Sequence, residues 1–270
     1  MRPYVAAFVS RFLQMLQYRT AALAGFVTQC WWGGIKVMVL AAFYANGGGG
    51  AMPLAHAITY TWIAQGLLAL IPWAGDPEVA LSVRTGSVAY DRLRPVDAYA
   101  LWFARTTGWI AARVLPRVAL MLAFAAIVLP VAGLGAWAWQ PPSNAAAGAF
   151  AAVSVGLALL LSAAIVMLLN IATAALLNDR GINALAMPLV IVLSGNLLPL
   201  ALLPDSWQNV LVLQPFAGLL DIPLRLYFAE FTGWAAVGAL ALQGFWIAAL
   251  AAFGHAAMSG AMRRLDVQGG

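Results

Sequence analysis

The chain holds a single lysine, Lys36, and it falls inside a long apolar run. An ammonium at membrane depth is costly and marks either a substrate or ion contact or a snorkelling side chain whose head reaches the outer headgroups. Both readings stay open from sequence. The same residue excludes one chemistry. A phosphate-binding loop needs a Gly-Lys-Ser/Thr ending so that the lysine reaches the phosphates, and Lys36 is flanked by Ile35 and Val37. Any nucleotide hydrolysis coupled to this chain is therefore expected on another polypeptide, and the chain is not expected to be an enzyme by itself. Asn170, Ser194 and Asn196 are the other polar residues within or near apolar runs. They read as interhelical hydrogen-bonding groups or as a polar translocation surface, with Lys36, Asn170 and Asn196 the candidate path residues. His56 and His255 are far apart, without acids close in sequence, so neither a metal site nor a Ser/His/Asp set is expected. One cysteine, Cys30, cannot form an internal disulfide.

The stretch with the most chemistry is 78–97, EVALSVRTGSVAYDRLRPVD, a polar island carrying Arg84, Asp91, Arg92, Arg94 and Asp97. It lies between two hydrophobic runs, so it must face water, where a soluble partner can dock. Asp76-Pro77-Glu78 reads as a helix start, with proline in the first turn and acids at the positive end of the helix dipole. Leu93-Arg94-Pro95 stops or bends that helix, because the residue before proline avoids helical backbone. From Asp97, aromatics at Tyr99, Trp102, Phe103 and Trp109 alternate with Arg105, Arg113 and Arg117, as in an interfacial helix leading into the next span. Asn178-Asp179-Arg180-Gly181 reads as a short turn with a structural ion pair.

These segments need a scaffold, and composition defines its class. Hydrophobic residues make up 64% of the 270 and charged residues 9%, against about 25% charged in ordinary globular domains. A soluble surface cannot be covered at that level. The apolar runs lack the period-2 alternation of barrel strands, so the expectation is an all-α integral membrane protein, helices satisfying their own backbone in lipid. Six runs approach the ~20 residues a span requires: 21–44, 54–73, 118–136, 147–176, 183–203 and 234–255. All of the fourteen basic residues except Lys36 and Arg225 fall in segments of one parity, which puts both termini and the polar island on the cytoplasmic side. The arginines are too dispersed for a nucleic-acid stripe.

Residues 3–20 read as an amphipathic interfacial helix, with Val5, Phe8, Phe12, Leu13 and Leu16 on one side and Arg11, Gln14 and Tyr18 on the other. Arg11 interrupts the run that a cleaved signal peptide would need, so this segment is expected to be retained. The turns NGGGG at 46–50 and QPPSN at 140–144 separate spans. On the outer side, 204–233 is too apolar for a solvated loop and too broken by proline to span. It reads as a helical hairpin at membrane depth, re-entrant or interfacial. The whole chain, 1–270, reads as one transmembrane domain, with 1–20 interfacial and 74–117 as the cytoplasmic coupling segment.

In this order the motifs resemble the membrane subunits of ABC-2 type exporters. The likeness is to the permease group with an Arg-x-Gly and Leu-x-Arg-Pro signature after the second span. Here that is Arg84-Thr85-Gly86-Ser87 followed by Leu93-Arg94-Pro95-Val96-Asp97. Ser194-Gly195-Asn196-Leu197-Leu198-Pro199-Leu200, Leu203-Pro204 and Gln214-Pro215-Phe216 add to the similarity, as does Tyr18-Arg19-Thr20 running into Trp31-Trp32. The resemblance implies six transmembrane helices, an N-terminal elbow helix, a coupling helix after the second span and a broken hairpin after the fifth. It implies a separate ATP-binding subunit carrying ATP and Mg, and a second permease, identical or related, in an inner membrane. The coupling contact would fall on Arg84, Gly86, Tyr90, Asp91, Arg92, Arg94 and Pro95. A scaffold or assembly subunit that binds another soluble protein is the alternative from a different class.

Overall fold

A computed structural model describes residues 2–47, 52–87, 90, 95–177 and 179–265, with side chains through 260. Among them there are helices and turns and no strand. The chain runs α1 (Arg2–Leu16), α2 (Arg19–Ala45), α3 (Leu54–Gly66), α4 (Pro77–Arg84), α5 (Ala98–Ala123) and α6 (Leu129–Val131). It continues through α7 (Ala145–Leu176), α8 (Asp179–Leu193), α9 (Asp205–Leu211), α10 (Asp221–Tyr227) and α11 (Gly233–Leu265). Four helical stretches among the described residues are long and apolar enough to cross a membrane: Arg19–Ala45, Ala98–Val131, Ala145–Leu176 and Gly233–Gly260. Leu54–Leu70 is shorter, and α8 has 15 residues.

Two boundaries differ from the sequence reading. The interfacial helix and third span expected on either side of residue 118 are one helix, α5, which passes Pro116 without breaking and continues through a π-turn at Phe124–Val128 into α6. Helix α4 ends at Arg84, ten residues before Arg94, because Gly86 takes the left-handed conformation (φ 72°) that glycine adopts at no steric cost. At its other end, Asp76 is the N-cap, accepting from the Glu78 N–H at 2.9 Å, with Pro77 in the first turn.

Helix α7 is the central post. Its Ala- and Ser-rich face lets α5, α10 and α11 approach closely, the packing favoured where lipid supplies no hydrophobic drive between helices. Gln243 of α11 joins this face, exchanging hydrogen bonds with Ser154 of α7 and donating to the Gly218 carbonyl at 2.7 Å. Helix α10 is buried along most of its length against α7. Helix α1 lies along α5, where Gly108 permits the contact: a Cβ there would stand 2.5 Å from the Phe8 carbonyl oxygen.

Candidate functional site

Two buried polar clusters lie within this apolar frame, one at each end of the bundle. The first surrounds the start of α4. Arg11, expected on the outward face of the N-terminal helix, is instead 5% exposed and turned inward. Its guanidinium reaches Asp76, which is 3% exposed, at 3.3 Å, pairs with Glu78, and donates to Gln14 at 3.0 Å. Glu78 also takes Arg105 of α5 at 3.2 Å. Burial pushes the Asp76 carboxyl above the usual aspartate range, opposed by the Glu78 N–H and then by Arg11. The sequence signal was there in part: Asp76 and Glu78 were visible as a cap. Their partner, more than 60 residues earlier, was not.

Asn170 of α7 belongs to this cluster. Its Oδ1 accepts from the Asp76 N–H at 2.8 Å, while Asn183 Oδ1 accepts from the Gly75 N–H at 3.2 Å. Gly75 is required by that approach, since a Cβ would sit 2.7 Å from Asn170 Oδ1. Helix α4 is thus fastened at its N-terminus to α1, α5, α7 and α8. His255 of α11, without an acid near it in sequence, meets Asp97 at 3.1 Å, and the Asp97 N–H donates to the Tyr4 hydroxyl.

Of the residues singled out in the polar island, Arg84, Gly86, Tyr90 and Pro95 are exposed. Asp91, Arg92 and Arg94 lie outside the described residues. On α4 itself, Val79, Ala80 and Val83 are buried, Val79 and Val83 packing with Tyr99, Trp102 and Met167, whereas Leu81 (56% exposed) and Arg84 face out. A short helix therefore presents an apolar and basic stripe to solvent while its other face and its cap are tied to the bundle.

The second cluster brings Lys36 and Asn196 together. Lys36 lies ~25 Å along α2 from Arg19 at 1.5 Å per residue. Its ammonium donates to the Asn196 carbonyl at 2.9 Å and to Asn196 Oδ1 at 3.3 Å. These acceptors follow the C-terminus of α8, where a cation is favoured by the helix dipole. Gly195 (φ 82°) makes the turn, and its carbonyl accepts from the buried Tyr60 hydroxyl at 3.0 Å. Close by, Asp221 accepts from the Leu200 N–H and from Arg225 Nε at 2.7 Å. Arg225 also donates to Gln208 at 3.1 Å and stands 3.7 Å from Glu230. The Asp221–Arg225 pair was missed in sequence, although opposite charges four apart in an apolar helix signal an i,i+4 contact. Asn170 is not part of this group. The three candidate path residues thus divide two and one between the ends of the bundle.

No group of three or more metal-ligating side chains occurs among the described residues. No known protein-family model matches the chain, and no curated protein matches it. The composition and the four long apolar helices suggest a membrane-embedded helical protein.

Proposed function

We propose that the chain is the transmembrane permease subunit of an ATP-driven exporter of the ABC-2 type, coupled to a separate ATP-binding subunit. The observation that carries this reading is helix α4. Its outer face, Leu81 and Arg84, is free for a soluble partner, while its cap at Asp76–Glu78 is tied to α1, α5 and α7. A push on α4 by a closing ATPase pair would pass through this knot into the central helix, a rigid-body coupling of the kind that drives alternating access. The ATP and Mg belong to the partner, since Lys36 is spent on Asn196 and sits in no phosphate loop.

In this reading the chain crosses an inner membrane six times with both termini cytoplasmic, and pairs with a second permease. The two extra spans are the region of α3 and that of α8. Each helix is short of the ~30 Å hydrocarbon core, and each continues into irregular backbone at 71–73 and 194–203, buried against protein at 71–72, 194–196 and 199–201 and exposed at Leu197 and Leu198. Membranes tolerate irregular backbone where it is shielded from lipid. Helices α9 and α10 form the outer hairpin.

The test is co-purification with the ATP-binding protein encoded beside this chain, followed by ATPase assay in lipid. L81E/R84E should abolish recovery of the complex while leaving the elution profile of the chain unchanged. Full recovery and full ATPase activity in that variant would remove α4 as the coupling element. Isolation of the chain alone, without any ATPase, would favour a scaffold.

A further inference from the structure

A cavity of about 170 Å³ lies beneath the start of α4. Its walls come from the end of the second apolar run (Ile71, Pro72, Trp73), from Gly75, and from Trp109 and Arg113 of α5. At ~30 Å³ per water, it has room for about five waters or one compact polyatomic ion. Arg113 stacks over the Trp109 ring at 4.5 Å. One turn further along α5, Arg117 lies on the same face, against α2 at Gly25, with its Nε buried and unbonded.

Among the described residues, neither arginine has a carboxylate within ion-pair distance or an acceptor within hydrogen-bond distance. The charges nearby do not balance. Asp76 and Glu78 are the carboxylates at this site, and they are engaged by Arg11 and Arg105. Arg113, which feels the charge of Asp76 only from beyond ion-pair distance, and Arg117 remain as two half-buried cations without a direct partner, a costly arrangement unless an anion completes it. An indole-stacked guanidinium keeps its N–H edge for a planar or tetrahedral oxyanion.

We propose that this cavity, with Arg113 as its anchor and Arg117 adding positive charge from one turn along α5, outside the lining, binds a phosphate-bearing anion. The site opens at the end of the bundle that holds Asp76, Glu78 and the α1–α5 contact, the level of headgroups in the leaflet on that side. The phosphate is supplied either by an anionic lipid headgroup or by a soluble phosphate compound. The inference does not depend on the exporter reading.

The experiment uses the full chain in a neutral detergent and follows its thermal unfolding midpoint. Dioleoylphosphatidylglycerol is titrated in parallel with dioleoylphosphatidylcholine, and glycerol 3-phosphate is the soluble probe. The phosphatidylglycerol should raise the midpoint saturably and the phosphatidylcholine should not. R113Q should shift the half-saturating concentration at least tenfold, R113Q/R117Q further, and R19Q, exposed at the start of α2, not at all. Saturation by glycerol 3-phosphate with the same R113Q loss assigns the site to a soluble ligand; response to the lipid alone assigns it to a headgroup. Equal midpoints and equal affinities in wild type, R113Q and the double variant overturn the proposal. Should R113Q not be recoverable, quenching of wild-type tryptophan fluorescence decides: brominated phosphatidylglycerol must quench more than brominated phosphatidylcholine at the same mole fraction, and equal quenching overturns the site.

Discussion

Replacing Arg11 by methionine keeps most of the aliphatic stem and removes the guanidinium that faces Asp76 and Glu78. Glu78 keeps Arg105, but Asp76, 3% exposed, is left with the Glu78 N–H as its side-chain partner. Breaking one half of a buried pair in this way costs roughly 3–5 kcal/mol. The carboxyl has an escape, because it can take up a proton. From an ordinary aspartate value near 3.9, that costs about 4 kcal/mol at pH 7 and about 1.4 less for each pH unit below. Burial already holds the Asp76 carboxyl above the usual range, so the ceiling is lower still. Arg11→Met should therefore destabilise the chain by about 3 kcal/mol at pH 7 and by about 1 at pH 5. Asp76→Asn in the same chain should recover most of the loss at pH 7. The eleven tryptophans supply the signal for denaturant titration in detergent at both pH values. Trypsin cleavage after Arg84 should accelerate in the single variant as α4 loosens. An Arg11→Met cost under about 1 kcal/mol at pH 7, or a cost that grows on acidification, would refute the buried-pair argument.

Gly108→Ala should destabilise the docking of α1, since the new methyl meets the Phe8 backbone oxygen at 2.5 Å; overpacking of ~1–3 kcal/mol outweighs a helix-propensity gain of at most ~1, and a lowered unfolding midpoint with faster cleavage at Arg19 checks it. Asp76→Asn alone tests linkage. The folded-state affinity of Asp76 for its proton is raised, so its contribution is fully present below pH ~3.9 and lost as pH rises through the higher folded value. The stability of the variant relative to wild type must improve from pH 4 to pH 7, and a decline would contradict the direction. Lys36→Met should cost about 1–3 kcal/mol and Asn196→Ala less, because the main-chain carbonyl that takes the shorter bond remains; the double variant should lie close to Lys36→Met, and additive losses in denaturant titration would separate the two residues.

Much of the frame was legible in the residues. A chain this poor in charge with long runs of Ala and Leu reads as helical and membrane-embedded, because neither a soluble surface nor an alternating strand face is readily made from it, and the four long apolar helices suggest the same. The cap at Asp76-Pro77-Glu78 was legible for a local reason: the first N–H groups of a helix need acceptors, and proline has no N–H to satisfy. Long-range pairing was not. Arg11 falls on the polar side of an amphipathic pattern, and only the fold brings it within reach of Asp76. Asn170 looks like a polar residue in a span until its Oδ1 is found on the Asp76 N–H. The continuity of α5 across residue 118 was not legible, because a hydropathy window treats Arg105, Arg113 and Arg117 as a boundary. In the folded chain Glu78 neutralises the first, an indole face shields the second and α2 covers the third, so α5 runs on without a break. Sequence fixes which side chains are expensive to bury, whereas tertiary contacts decide which of them are buried anyway, since only a folded chain brings the compensating group across tens of residues.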